Sequence, residues 1–394
     1  MKKQTQAIHL EYERRDAYDS LSVPVYNTLA YEFDNAAVMA EAFTDKIKAP
    51  DYSRVENPTV TNLERRVAAL TDAAHATAFN SGMAAISNTL MALAAQGKNI
   101  VTSKHLFGNT YALLVATLRR FGVKVRLRDL TNIEAVREAI DDDTCCVFLE
   151  ILTNPQLEVA DLKAISEVAH EKNVPLVVDS TVIPFTQFSA KSLGVDIEVV
   201  SSSKYVSGGA TSLGGLVIDY GTPYNGDFAK RLYGEMLFNF GAYMTPQVAY
   251  MQTIGLETLD ARYRVQSSNA LELAKKLRSL PQIKYVNYVG LEDNPYHELA
   301  QRQFGKTAGA MICIDLESKE ACFSFLNNLK LIHRATNLFD NRSLAIHPAS
   351  TIFGAFSENM RKSMDVKDTT IRLSVGLEDV DDLFEDIKQA VDNL

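Results

Sequence analysis

The sequence predicts an α/β protein: a large domain on a mostly parallel sheet, followed by a smaller α+β C-terminal domain. Between residues 99 and 178 short apolar runs alternate with segments of helical spacing, the order that covers a parallel sheet on both faces. Two of those runs, Cys145 to Leu149 and Val174 to Val178, are apolar at nearly every position, as doubly covered strands are. A long helical stretch after Pro246 then leads to separate strand-like segments near the C-terminus. The expected division is an N-terminal arm and helix over residues 1–53, a large domain over 54–246 and a C-terminal domain over 247–394. A chain of 394 residues exceeds what one core usually serves.

Ser22 to Tyr26 reads as extended chain and Asn35 to Phe43 as a helix. An arm that buries little on its own packs on a neighbouring subunit, so oligomerisation is expected. Tyr52 and Arg54, two apart in an extended segment, project to one side, a geometry that suits a phosphate and equally a surface coil. Pro58 marks the start of a helix with Leu63, Arg66, Val67 and Leu70 at helical spacing. Ala76 to Phe79 is strand-like, and Ser81 can cap the helix that follows. Gly82 lets a ligand approach the free N–H groups there, although an ordinary capped helix would look the same.

The alternation then runs through strands at Asn99 to Thr102, Val123 to Arg126, Cys145 to Leu149 and Val174 to Val178, with helices at Thr110 to Arg120, Asn132 to Ile140 and Leu162 to Glu171. Past Pro246 a helical region extends beyond Arg262 towards Leu277. Lys284 to Val289, Ala310 to Ile314 and Ile371 to Val375 are the strands expected after it.

The stretch Ser201-Ser202-Ser203-Lys204 follows the strand-like run Val195 to Val200, so Lys204 should stand where a buried strand opens into a loop. Asp179 ends the preceding strand, and a separation of twenty-five residues leaves room for one crossover. Both side chains would then face one crevice at the carboxyl edge of the sheet. A plain ion pair accounts for this arrangement. So does a pyridoxal phosphate site, in which the lysine amine forms a Schiff base and the aspartate keeps the pyridine nitrogen protonated. Ser201 and Ser203 offer hydroxyls for a phosphate beside the lysine.

Composition narrows the alternatives. A net charge of −9 and a pI near 5.4, without a concentrated Lys/Arg block, argue against nucleic acid as a partner. No stretch approaches the ~18 apolar residues of a spanning helix, and residues 1–6 lack the apolar run of a leader, so a cytoplasmic location is expected. Cys145, Cys146, Cys313 and Cys322 show no C-x-x-C spacing and read as reduced core residues. Neither G-x-G-x-x-G after a strand nor a P-loop occurs, and His347 has no near partner for a metal, so no metal is expected.

An ordered set of short motifs spans nearly the whole chain. It comprises Pro24-Val25-Tyr26, Tyr52-Ser53-Arg54 with Asn57-Pro58-Thr59, Ser81-Gly82-Met83, Thr153-Asn154-Pro155 after Glu150, and Val178-Asp179. Ser201-x-Ser203-Lys204-Tyr205, His347-Pro348-Ala349-Ser350 and Arg372-Leu373-Ser374-Val375-Gly376 complete it. In this the chain resembles the Cys/Met-metabolism family of pyridoxal-phosphate enzymes, which includes cystathionine synthases and lyases, methionine γ-lyase and O-acylhomoserine sulfhydrylases. The resemblance implies the fold-type I, aspartate aminotransferase-like architecture and a homotetramer with active sites shared between subunits. It also implies that Lys204 carries the cofactor and shuttles protons, that Asp179 pairs with the ring nitrogen and that Asn154 lies near the phenolic oxygen. Ser81, Gly82, Met83, Ser201 and Ser203 would surround the phosphate, with Tyr52 and Arg54 reaching in from the adjacent subunit. Arg372 would clamp the substrate α-carboxylate, with Tyr52, Asn337 and Arg342 as further substrate contacts.

Three departures from the family refine the expected reaction. Phe107 stands where many members have a ring-stacking tyrosine; stacking survives, the phenolic proton does not, and some sulfhydrylases share the Phe. Asn109 occupies the place of a cysteine typical of methionine γ-lyases. Arg342 replaces a glutamate that meets the distal ammonium of cystathionine, and a cation there is expected to repel it. The implied activity is replacement at the γ-carbon of O-acetyl- or O-succinyl-L-homoserine by sulfide or a small thiol. Methionine γ-lyase-type elimination, cystathionine synthesis or cleavage, and a non-catalytic cofactor-binding protein are the alternatives.

Overall fold

The computed structural model describes residues 1–10, 16–44 and 46–394; residues 11–15 of the expected arm, and Asp45, lie outside the described residues. Seven strands form the larger sheet: β1 His75–Phe79, β2 Asn99–Ser103, β3 Lys124–Arg128, β4 Thr144–Glu150, β5 Leu176–Asp179, β6 Ile197–Val200 and β7 Gly215–Asp219. Their order is β1-β7-β6-β5-β4-β2-β3, parallel from β3 through β6, with β7 antiparallel to both β6 and β1. The parallel strands β2, β4, β5 and β6 therefore end along one edge, at Ser103, Glu150, Asp179 and Val200.

Alternate residues of each strand enter different cores, the reason the strand runs are apolar throughout. Val147 and Leu149 of β4 pack on one side, while Cys146 and Phe148 pack on the other. The helices begin where capping residues precede the apolar spacing. Asn57 accepts the N–H of Thr59 ahead of Pro58–Thr71, and Ser81 accepts that of Ala84 ahead of Gly82–Leu93. The helix expected over 110–120 is broken instead into an α turn at Gly108–Ala112, a wide π turn at Leu113–Thr117 and a 3-10 turn at Leu118–Phe121. Leu114 and Leu118 stay buried across the break. A short helix at Lys3–His9 docks on the body, where Lys3 Nζ donates to the carbonyls of Phe185 and Phe188.

Helices Pro246–Glu257 and Leu259–Leu277 lead to the second sheet, which lies wholly within residues 247–394. Its strands are β8 Tyr285–Asn287, β9 Met311–Asp315, β10 His333–Arg334, β11 Leu344–Ile346 and β12 Thr370–Ser374, in the order β10-β11-β12-β9-β8. All its pairings are antiparallel except β10 with β11. One apolar core runs from Val178 and Leu216 of the first sheet to Ile312 and Ile371 of the second, so the two sheets are packed as one body. His105 bridges them from outside that core, bonded to Glu158 on one side and, at 2.7 Å, to Asp365 on the other.

The four cysteines are free thiols, three of them buried and Cys145 half-buried. No described helix is long and apolar enough to cross a membrane.

Candidate active site

A cavity of about 780 Å³ opens at the carboxyl edge of the parallel strands, between the two sheets. Glu150, Asp179 and Lys204 enter it from the first sheet, and Asn337 and Arg372 from the second.

Lys204 lies four residues beyond β6. Its Nζ donates to Asn337 Oδ1 at 2.7 Å. Burial, helped by the charge of Arg372, lowers its pKa to about 8. Asp179 accepts the N–H of Thr181 at 2.9 Å, and burial raises its pKa. No ion pair among the described residues joins Asp179 to Lys204, so the two are not a plain ion pair. Beside Asp179, in register on β4, stands Glu150, whose pKa burial and the Asp179 charge push up to about 8.

Arg372 is on β12 and 2% exposed. Its Nη1 donates to Asn154 Oδ1 at 3.1 Å and its Nη2 to the Asn337 carbonyl at 3.3 Å, while Nε has no partner. Among the described residues it forms no ion pair, and burial lowers its pKa to about 10. A buried guanidinium bonded only to neutral acceptors favours an anion in the space before it.

A cradle lies on the other side of Lys204. Gly82 and Met83, the first residues of helix Gly82–Leu93, line the cavity, and their N–H groups have no partners within the helix. Gly82 is required there by close approach: a Cβ would come within 2.6 Å of Ser201 Cβ and Oγ. Ser201 lines the same wall. Ser203 also lines it, but its hydroxyl donates to the Gly214 carbonyl and accepts the Gly214 N–H, so its proton is committed inside the protein. This differs from the expected phosphate donor, because the loop at Gly214 comes back against Ser203.

Ser81, Gly82, Met83, Phe107, Asn154, Asp179, Ser201, Ser203, Lys204, Asn337 and Arg372, all expected at the site, line this one cavity. Tyr52, Arg54 and Arg342 do not. The guanidinium of Arg54 lies 5.5 Å from the Tyr52 ring centre and 5.6 Å from that of Phe238, and it donates to the Phe238 carbonyl. Arg342 is a correction. Its Nε donates to Asp340 Oδ1 at 2.9 Å and its Nη2 to Oδ2 at 3.2 Å, so it is paired outside the cavity. A neutralised cation does not repel a distal ammonium, and the argument drawn from Arg342 against cystathionine lapses.

Glu150 and Thr181 also line the cavity without having been singled out. Glu150 had a usable signal, since it closes an apolar strand with a carboxylate just as Asp179 does. No group of His, Cys, Asp and Glu among the described residues could hold a metal ion.

A half-buried amine of low pKa, a carboxylate across the crevice, a helix N-terminus and an unpaired guanidinium together fit pyridoxal phosphate with an amino-acid substrate. Comparison with known proteins agrees. The chain is 37% identical to an L-methionine γ-lyase of Fusobacterium nucleatum, over 99% of this chain and 98% of that one. It is 32% identical to the O-acetyl-L-homoserine sulfhydrylase of Corynebacterium glutamicum, over 98% and 95%. A solved Campylobacter jejuni structure described as an O-acetylhomoserine (thiol)-lyase superposes with a TM-score of 0.95 at 34% identity, covering 100% of both chains. That protein holds a pyridoxyl-lysine monophosphate. The family model for Cys/Met metabolism PLP-dependent enzymes matches residues 4–392. A match of that extent, on a fold-type I architecture with a site suited to pyridoxal phosphate, makes the chain a member of the Cys/Met metabolism family of PLP-dependent enzymes.

Proposed function

We propose that the chain replaces the acyloxy group of an O-acyl-L-homoserine with sulfide or a small thiol. The carbon–oxygen bond at the γ-carbon breaks, a carbon–sulfur bond forms, and homocysteine or a homologue leaves with a carboxylic acid. The observation that carries the reading is the convergence on Asn337: its Oδ1 holds the Lys204 amine and its carbonyl holds the Arg372 guanidinium. Base and carboxylate clamp thus flank one residue, as binding an α-amino acid requires.

When bound, pyridoxal phosphate supplies the electron sink for proton loss at the α-carbon. Arg372 orients the substrate by its carboxylate, for which a planar donor pair is apt. Lys204, with a pKa of about 8, takes and returns protons at the α-carbon. Asp179 would hold the proton of the ring nitrogen by its charge. Phe107, which lines the cavity, would cover the ring and exclude water, with no phenol to offer a proton. The N–H groups of Gly82 and Met83 with the Ser201 hydroxyl would hold the phosphate, and Tyr52 and Arg54 of a second protomer would complete the cradle. Phe107 and Asn109, both lining the cavity, support replacement over elimination.

The test is product analysis on O-acetyl-L-homoserine with and without sulfide. Homocysteine that forms only with sulfide, with little 2-oxobutanoate, is expected. Oxo acid formed regardless of sulfide would overturn the reading and make elimination the reaction.

A further inference from the structure

The charged side chains that line the cavity are Glu150, Asp179, Lys204 and Arg372, and none of them is exposed. Its exposed lining residues are Asn109, Ala210, Thr211, Leu213, Thr336 and Thr351, and none of these carries a charge. Among the described residues the cavity is therefore charged at its inner end and neutral at its mouth. Part of the mouth is closed from the C-terminal domain: a Cβ at Gly108 would come within 2.8 Å of the Ile352 carbonyl and 3.1 Å of the Phe356 ring. The segments carrying Asn109 and Ile352 thus pack directly against each other. Cations close to these segments in sequence are engaged elsewhere. Lys104 Nζ donates to Asp365 Oδ2 at 2.6 Å, and Arg361 Nη1 donates to the Phe356 carbonyl at 2.8 Å.

We propose that the neutral mouth selects amino acids whose γ-substituent is uncharged: an acetyl ester over a succinyl ester, and the methylthio group of methionine over the cysteinyl group of cystathionine. The inference rests on the proposed placement of the substrate α-carboxylate at Arg372 and is indifferent to whether replacement or elimination follows. With the α-carboxylate at Arg372 and the α-amino group beside Lys204, both cations of the cavity are used at its inner end. Arg54 of a second protomer is likewise engaged, at the phosphate. The remainder of the substrate meets neutral side chains, Ile352 and Leu213 among them. An acetyl or methylthio group brings no charge that needs a partner there. A succinyl group brings a second carboxylate, which either sheds water without gaining a cation or keeps its water and holds the ester out of place. Cystathionine brings an ammonium and a carboxylate together, and cysteine as the incoming thiol does the same; the mouth has no side chain of opposite charge for either.

The experiment measures kcat/KM of the holoenzyme for O-acetyl-, O-butanoyl- and O-succinyl-L-homoserine in the presence of sulfide. Turnover is scored as homocysteine and 2-oxobutanoate together, so that replacement and elimination count alike. The butanoyl ester has the chain length of the succinyl ester without its carboxylate and separates charge from size. Both uncharged esters are expected to exceed the succinyl ester by about tenfold or more. Leu213→Arg places a cation at the exposed mouth and should raise the ratio of succinyl to acetyl turnover about threefold or more, whereas Leu213→Gln, long but neutral, should not. A succinyl ester used as well as the butanoyl ester would overturn the proposal. So would the same succinyl-to-acetyl ratio in L213R and L213Q. If no ester is consumed, the proposed O-acylhomoserine reaction fails, and L-methionine against L-cystathionine then decides the selectivity. Methionine should be consumed about tenfold faster or more, and cystathionine consumed as fast as methionine would refute a mouth that selects by charge.

Discussion

Lys204 should take up pyridoxal phosphate at a pH where an ordinary lysine barely reacts. Addition of an amine to an aldehyde needs the neutral amine, and burial together with the Arg372 charge brings the Lys204 pKa from 10.5 to about 8. That difference corresponds to about 3 kcal/mol against the ammonium form. At pH 7.5 about a quarter of the Lys204 side chains would be neutral, against about one in a thousand for an ordinary lysine, an advantage of about two hundredfold. The assay mixes apoprotein with pyridoxal phosphate in a stopped-flow instrument across a pH series and follows visible absorbance. The rate constant should rise with pH, turn over near 8 and then level off. Arg372→Gln removes the nearby cation, so its midpoint should move upward. A wild-type rate still climbing steeply past the turnover, or a midpoint in R372Q unchanged or lower, would refute the assignment of Lys204 as an amine poised by burial and by Arg372.

Two further tests address the cradle and the bridge between the sheets. Gly82→Ala adds a Cβ that would sit 2.6 Å from the Ser201 side chain and 2.9 Å from Ser201 Cα, so the wall must shift. Cofactor affinity measured by equilibrium dialysis should fall about tenfold or more, and unchanged affinity would remove Gly82 from the site. At His105 burial works to lower the pKa, but Glu158 and Asp365 outweigh it and the net direction is upward. Its stabilisation is full below the unfolded value near 6.5 and is lost as pH rises through the higher folded value. His105→Gln should therefore lower the melting temperature more in mildly acidic than in alkaline buffer. An equal loss in both would mean that the bridge does not titrate.

The fold was legible where its causes are local. The runs in β4 and β5 are apolar because both faces of each strand are covered, and Asn57, Ser81, Asn132 and Asp161 cap helices through their own side chains. Strands β10 and β11, two and three residues long, carry too little pattern to be seen. β7 was missed for another reason. It begins at Gly215, where a Cβ would meet the Ser81 carbonyl at 2.1 Å, so the residue that weakens the strand signal is the one that lets the strand pass the helix start. Spacing brought Asp179 and Lys204 together because they end neighbouring strands of one parallel sheet. Arg372 and Asn337 come from the other sheet, and only the resemblance reached them. Arg342 misled because its partner Asp340 lies two residues away, a pairing that depends on how the local chain turns.

The pKa directions in the cavity explain why its central pair is not a simple ion pair. Both acids, Glu150 and Asp179, are shifted up, and both bases, Lys204 and Arg372, are shifted down; burial leads each time. Had Asp179 and Lys204 neutralised each other, their shifts would favour the charged forms instead. The acids end strands of the first sheet, while Lys204 is drawn to Asn337 on the far side, next to Arg372. Among the described residues none of these four groups is joined to one of opposite charge. Pyridoxal phosphate would offer Asp179 a protonated ring nitrogen and Lys204 an aldehyde, and an amino-acid substrate would offer Arg372 its carboxylate. The neutral partners that Asp179, Lys204 and Arg372 have inside the protein leave their charges available to a cofactor and a substrate.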